Sequence, residues 1–402
     1  MAKQNKALGV NPAVLRWARE SMGLTVENVA ERLVAKKTEQ SFSQRLQKRI
    51  EAIQNWETGS DIPSIPQLKT LAENVYKRPF LLFFFPEPPE EENLGEKFRA
   101  SIPNFQLEPD TVYKLRLANV RLMELKELYF DENPATQIIF RDIHLDINEN
   151  VGSAVDRVRD WFTRQGEELN TTSNDTEFLK TWRERLERFG VFVFKDSFKQ
   201  KVVSGFCVLD EVFPLIYINN SIGKTRQLFT LIHELAHVLL GSQSILIEQT
   251  DSGEPTHYAD MQTERFCNAF AAELLVPGDD LHLLFTPSGQ VVEDLAAIRN
   301  IAQRFGVSRE VMVRKMHELN IITYGQRVDF LNALYAEYQS KRSKSSRGDY
   351  YNTRLTYLGD KYTGKVISEL ERGRFNLEEA AEFLSVKPKS VAEIQDRVEV
   401  AV

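Results

Sequence analysis

Thr230-Leu231-Ile232-His233-Glu234-Leu235-Ala236-His237-Val238-Leu239-Leu240-Gly241 is the stretch from which the rest of the chain can be read. Leu228, Leu231, Ile232, Leu235, Val238 and Leu239 recur at the i, i+3, i+4, i+7 spacing of a helix with a buried stripe. No proline interrupts the run, and Gly241 stands where a helix commonly stops. On such a helix, residues four apart lie one turn above each other on the same face, so the imidazoles of His233 and His237 converge. Two imidazoles at that spacing suit Zn²⁺, and Glu234 beside the first is placed to act as a general base. The spacing also arises by chance in helices whose histidines are ordinary core or surface residues. The flanking sequence has to decide.

A catalytic zinc keeps three protein ligands and an open fourth position. The third ligand is sought in residues 263–278, a second helical pattern that ends before Pro277. It carries two carboxylates, Glu264 and Glu273, nine positions apart. At about 100° per residue they point to opposite sides of the helix, so only one can face the metal. Glu264 shares its face with Asn268, whose amide could orient a zinc-bound imidazole. Glu264 is therefore the expected ligand, and Glu273 a solvated residue or helix-end partner. Cys267 is a weaker rival, because an isolated cysteine is more often a small buried hydrophobe. The set His233, His237 and Glu264, with Glu234 as base, reads as a zinc-dependent peptidase.

The pairing of HELAH with a downstream E-R-x-x-N-x-F-A-A-x-L-L-x-P segment resembles the ImmA/IrrE family of bacterial metallopeptidases. The resemblance implies that His233, His237 and Glu264 bind zinc, in the gluzincin manner, and that Glu234 is the catalytic base. It also implies a narrow protein substrate, commonly a DNA-binding repressor made by a neighbouring gene.

Composition narrows the setting. The chain has 402 residues, more than one typical domain. Two cysteines, Cys207 and Cys267, give no disulfide framework, which suits a reducing compartment. The first residues lack an apolar signal core, and the run Phe80-Leu81-Leu82-Phe83-Phe84-Phe85 is too short to cross a bilayer. A soluble, cytoplasmic protein is expected. The net charge of −7 argues against nucleic-acid binding by the whole surface. Residues 1–86, however, hold thirteen Lys or Arg against eight Asp or Glu, a local excess of five on an otherwise acidic chain. A basic head on an acidic body is the reading.

In that head, residues 12–17 and 26–33 read as short helices, with Thr25 as N-cap of the second. A third covers 44–58 with Ile50, Ile53 and Trp56 at core spacing, and a fourth begins with Leu68, Leu71 and Ala72. The segment Ala-Ile-Gln-Asn-Trp-Glu-Thr-Gly-Ser, then Pro, then Leu-Lys-Thr-Leu-Ala, resembles the Cro/repressor (Xre) helix-turn-helix. The resemblance makes Lys48, Arg49, Gln54 and Asn55 the candidates for phosphate and base-edge contacts with DNA. Residues 35–43 lengthen the turn before the third helix, a departure from that pattern. Read otherwise, the head is a helical dimerisation or partner module, which would make the chain a homodimer.

Further helices are expected at 112–129, 151–162 and 178–189. Three β-rich runs follow at 191–194, 205–209 and Leu215–Asn219, read as a three-stranded antiparallel sheet. Its last strand is the expected edge along which an extended substrate pairs. Residues 242–261 read as a loop over the site, in which His257 or Tyr258 could face an oxyanion. His144, His282 and His317 read as structural. Residues 295–322 read as a helix-turn-helix capped by Ser308, 341–348 as a basic linker, and 358–384 as two tail helices, the second opened by an Asn376/Glu379 cap.

The expected fold class is α+β and mainly α. A helical head spans 1–78, an apolar, proline-rich linker 79–110, a zincin-like peptidase domain with a small antiparallel sheet 111–340, and a linker with helical tail 341–402. The expected function is a regulatory zinc endopeptidase fused to a DNA-binding head, cleaving a partner such as a transcriptional repressor. The competing reading is a non-proteolytic DNA- and protein-binding regulator, such as the antitoxin that holds a toxin.

Overall fold

The apolar runs after residue 190 do pair into a sheet, though not the one expected. In the computed structural model, which describes residues 6–34, 39–89, 108–169, 174–200, 202–242, 245–247, 258–285, 294–340 and 349–399, four strands form it. They are β1 (Phe192–Asp196), β2 (Val203–Val208), β3 (Leu215–Asn219) and β4 (Ile245–Ile247), in the order β1-β3-β2-β4. β2 and β3 are antiparallel, with Phe206 opposite Tyr217. β3 then inserts between β2 and β1 and runs parallel to β1, with Phe192 opposite Leu215. The sheet is therefore mixed, and β3 is internal rather than an edge. The outer strands are β1 and β4, the latter antiparallel to β2 through an irregularity at Val203/Gly205.

β1, β2 and β3 are buried at every position, so both faces of the sheet are covered. That is why the strands show no alternation of apolar and polar residues, and why the polar Lys195, Asp196, Ser204 and Asn219 are buried with the rest. Val193, Cys207, Ile216 and Ile218 join the core of the motif helix, Lys224–Leu240. On this helix every residue from Thr230 to Leu239 is buried, so the expected stripe is a helix enclosed on all sides. Each large apolar side chain buried there contributes about 1.5–3 kcal/mol. Gly205 sets how closely helix and sheet approach. A Cβ at this position would lie 2.6 Å from Thr230 Cγ2 and 2.8 Å from the Tyr217 carbonyl oxygen.

The C-terminal helices Tyr350–Leu358 and Asp360–Glu371 are not an appended tail. Tyr362 sets its ring edge-on to Phe194 at 5.3 Å, and the buried Arg183 donates to the Thr356 carbonyl at 2.7 Å and to the carbonyls of Val193 and Tyr357. Buried Arg121 donates to the Tyr362 hydroxyl, the Phe383 carbonyl and Ser385 Oγ, and pairs with Glu124. The expected cap at Leu377–Phe383 is present, with Asn376 and Glu379 each accepting from the other's backbone N–H. Ser308 likewise caps Arg309–Glu318 by accepting from Val311.

By contact the chain divides into two units, residues 1–117 and 118–402, the division falling within the helix Pro109–Tyr129. The N-terminal unit is helical. Pro12–Glu20 is capped by Asn11, and Val26–Leu33 by a reciprocal Thr25/Asn28 box. The third helix is Glu39–Thr58, so residues 39–43, expected in a lengthened turn, are its first turn; residues 35–38 lie outside the described set. Helix continuation satisfies backbone groups that a loop would leave to water. Ile65–Thr70 is followed by a π turn, Leu71–Tyr76. Ile53, Trp56, Leu68, Leu71 and Ala72 are buried, whereas Ile50 is half-buried. A part-buried bidentate pair, Arg19 Nε to Glu57 Oε1 at 2.8 Å and Nη2 to Oε2 at 2.9 Å, ties the first helix to the third. Of the apolar run, Phe83 is buried, while Leu81 and Phe85 are exposed. No described helix is long and apolar enough to cross a membrane.

Candidate metal centre

His233 and His237 project from one face of the motif helix, as their spacing requires, with Nε2 atoms 3.1 Å apart. Both are buried, at 0% and 1% exposure. Opposite them runs the helix Tyr258–Leu275, which carries Glu264. Its Oε2 lies 3.3 Å from His233 Nε2 and its Oε1 3.2 Å from His237 Nε2. The three form a group whose ligating atoms all fall within 4.8 Å of one another. A tetrahedral ion with ligands at about 2.0–2.1 Å places them about 3.3–3.4 Å apart, so the spacing fits a zinc-sized cation. The donor set, two imidazoles and a carboxylate, suits the same ion.

The electrostatics agree. Burial opposes ionisation of Glu264, but the two imidazoles hold its carboxyl well below the usual carboxylate range. Burial pushes His237 down, towards the neutral form a ligand needs. Burial does the same to His233, but the hydrogen bond and the charge of Glu264 outweigh it and hold the imidazole above its usual range. Glu264 is a quarter exposed at its side chain, whereas both imidazoles are buried.

Each imidazole has a partner at its other nitrogen. His233 Nδ1 lies 3.1 Å from Asn268 Oδ1, one turn beyond Glu264 on the same helix. His237 Nδ1 lies 2.9 Å from Ser242 Oγ. Ser242 opens the stretch 242–261 that reads as a loop, and the helix-stop Gly241 just before it is the sequence signal for its role. The loop itself is only partly a loop, since residues 245–247 form β4 and the next helix starts at Tyr258. His257 lies outside the described residues, as does the side chain of Tyr258.

Glu234 is fully buried, one residue along from His233. Glu273 points elsewhere, as its position predicts. It accepts from the Gly278 N–H at 2.9 Å and pairs with Lys315 at 2.6 Å, closing the end of the helix. Cys267 is buried beside the cage without joining the donor set, and burial pushes its thiol far up, away from the thiolate a metal would need. His144 and His282 are exposed, and His317 packs edge-on to Tyr324 at 6.0 Å, all apart from the group. In the N-terminal unit, Lys48, Gln54 and Asn55 are exposed on Glu39–Thr58 and Arg49 is half-buried.

Two similarities bear on this centre. Residues 186–317 match the family described as the IrrE N-terminal-like domain, Peptidase_M78. The chain is also 38% identical over 91 residues to the radiation response metalloprotease IrrE of Deinococcus deserti. That alignment spans 22% of this chain and 32% of the relative, about a third of its length. Together they support an ImmA/IrrE family peptidase, and the segment matched by the family model holds His233, Glu234, His237 and Glu264.

Proposed function

We propose that this chain is a regulatory zinc-dependent endopeptidase fused to a DNA-binding head. The observation that carries the reading is the convergence of His233 Nε2, His237 Nε2 and the Glu264 carboxylate at 3.1–3.3 Å from one another. In this reading His233, His237 and Glu264 hold Zn²⁺. The ion, when bound, supplies a Lewis acid for the scissile carbonyl and acidifies water. Glu234 takes a proton from the attacking water and returns it to the departing amine. Glu234 is buried on the motif helix itself, directly beside the ligand His233. An extended peptide adds along an outer strand; β4, next to β2, takes the place that β3 was expected to fill. The substrate is a partner protein, such as a transcriptional repressor, and the exposed Lys48, Gln54 and Asn55, with Arg49, meet DNA.

The decisive experiment is Glu234→Gln in the full chain, assayed for zinc content and for cleavage of a neighbour-encoded repressor. Zinc stays and cleavage falls by about 10²–10⁴-fold. Cleavage at the wild-type rate removes Glu234 as base. The second reading, a non-proteolytic regulator such as an antitoxin, draws on the same exposed helix face of the head. It requires that Glu234→Gln leave regulation and toxin binding intact.

A further inference from the structure

The motif helix ends in a way that reaches into the metal cage. Gly241 adopts φ +65°, the left-handed conformation that only glycine takes without strain. With that turn, the Gly241 N–H donates to the Val238 carbonyl at 3.2 Å and the Ser242 N–H to the His237 carbonyl at 3.0 Å. This is the paired 5→2 and 6→1 pattern of a Schellman stop, in which the residue after the glycine folds back over the residue five before it. Here the residue folded back is Ser242 and the one beneath it is His237. The side chain follows the backbone, and Ser242 Oγ comes to rest 2.9 Å from His237 Nδ1. Cys207 Sγ on β2, 3.8 Å from the Ser242 carbonyl oxygen, fixes the same residue from the sheet side.

From this geometry we infer that Ser242 is a positioning residue for the metal. Its hydroxyl accepts the Nδ1 proton of His237, fixing the tautomer whose Nε2 lone pair points into the cage. The inference deepens the metallopeptidase reading and rests on it. An imidazole presents one lone pair when neutral, and which nitrogen keeps it is set by the hydrogen bond at the other. His233 receives that support from Asn268, on the opposite helix. His237 receives it from the cap of its own helix. The Nδ1 side of His237 is thus held from the end of its own helix, through two bonds from a single residue to His237, one from its backbone and one from its side chain.

The backbone and side-chain contributions separate experimentally. Ser242→Ala removes the hydroxyl and leaves the N–H that closes the helix; Ser242→Thr keeps both. Zn²⁺ affinity of the full chain is measured by competition with a chromophoric chelator, together with the Tm of the metal-free protein. The expected result is an affinity about tenfold weaker for Ser242→Ala, near wild type for Ser242→Thr, and one metal-free Tm for all three. Wild-type affinity in Ser242→Ala overturns the inference. So does a lowered metal-free Tm in Ser242→Ala that accounts for the loss, since the hydroxyl would then serve the fold. A wild-type chain that takes up no Zn²⁺ overturns the metallopeptidase reading itself, and the inference with it.

Discussion

The motif helix and the long helix of the head, Lys224–Leu240 and Glu39–Thr58, put polar side chains to opposite uses. In the first, His233, Glu234 and His237 are buried, and each imidazole is held at both nitrogens. In the second, Lys48, Gln54 and Asn55 stand at the surface. The difference matches what the two proposed functions demand. A metal cage needs donor atoms fixed to within a fraction of an ångström, which burial and hydrogen bonds provide. Contacts to a long charged partner tolerate mobile side chains, because the partner orders them on arrival. Spacing in sequence therefore specified the geometry of the first region and only the composition of the second.

The comparison is broken most severely where the buried helix meets the sheet. Gly205→Ala sets a methyl group against Thr230 Cγ2 and the Tyr217 carbonyl. Thr230 can turn its side chain, but the carbonyl belongs to the backbone of β3, so the helix must move. Overpacking of this kind costs about 1–3 kcal/mol. Urea unfolding should show that loss, with zinc affinity falling as the helix shifts; unchanged stability would show that the approach at Gly205 is slack.

A buried charge on the sheet gives the next test. Lys195 on β1 is 6% exposed, and burial, aided by Arg183 and Lys224 and opposed by Glu187, lowers its amine to about 6. The unfolded chain holds that proton up to the ordinary value of 10.5. Between about pH 6 and pH 10 the unfolded state therefore binds more protons, and this group makes stability rise with pH. Lys195→Met should flatten that rise and raise the Tm most near pH 6. Parallel Tm curves from pH 6 to 9 in the two proteins would remove Lys195 from the account.

The smallest effect is expected at the head. Lys48→Ala touches an exposed side chain and should shift stability by less than about 0.5 kcal/mol. If the head meets DNA phosphates, the same change weakens binding evenly across sequences and reduces the salt slope by about one. A large drop in Tm would show that Lys48 is built into the head after all, and the contrast between the two helices would fail.

Much of the local structure was legible. Val26–Leu33 and Leu215–Asn219 have the bounds their sequences predict, and the caps at Thr25, Ser308 and Asn376 hold their helices as expected. The half-turn between Glu264 and Glu273 separated the residue facing the imidazoles from the helix-end partner. The sheet was misread because three apolar runs in a row look alike whether they pair as neighbours or with one inserted between the others. β4 was missed because three residues carry too little pattern. Ser242 was missed because its role depends on what the chain does after Gly241, not on the period of the helix before it.

The sequence by itself determined which side chains share a face of one helix, and where helices start and stop. Those relations span at most a turn or two, and backbone geometry fixes them wherever the helix forms. Only the tertiary structure decided that Glu264 closes on His233 and His237, that β3 lies inside the sheet, and that the C-terminal helices cover its far face. Those contacts join residues far apart in the chain. They are selected by competition for buried area and hydrogen bonds over the whole domain, which no local pattern records.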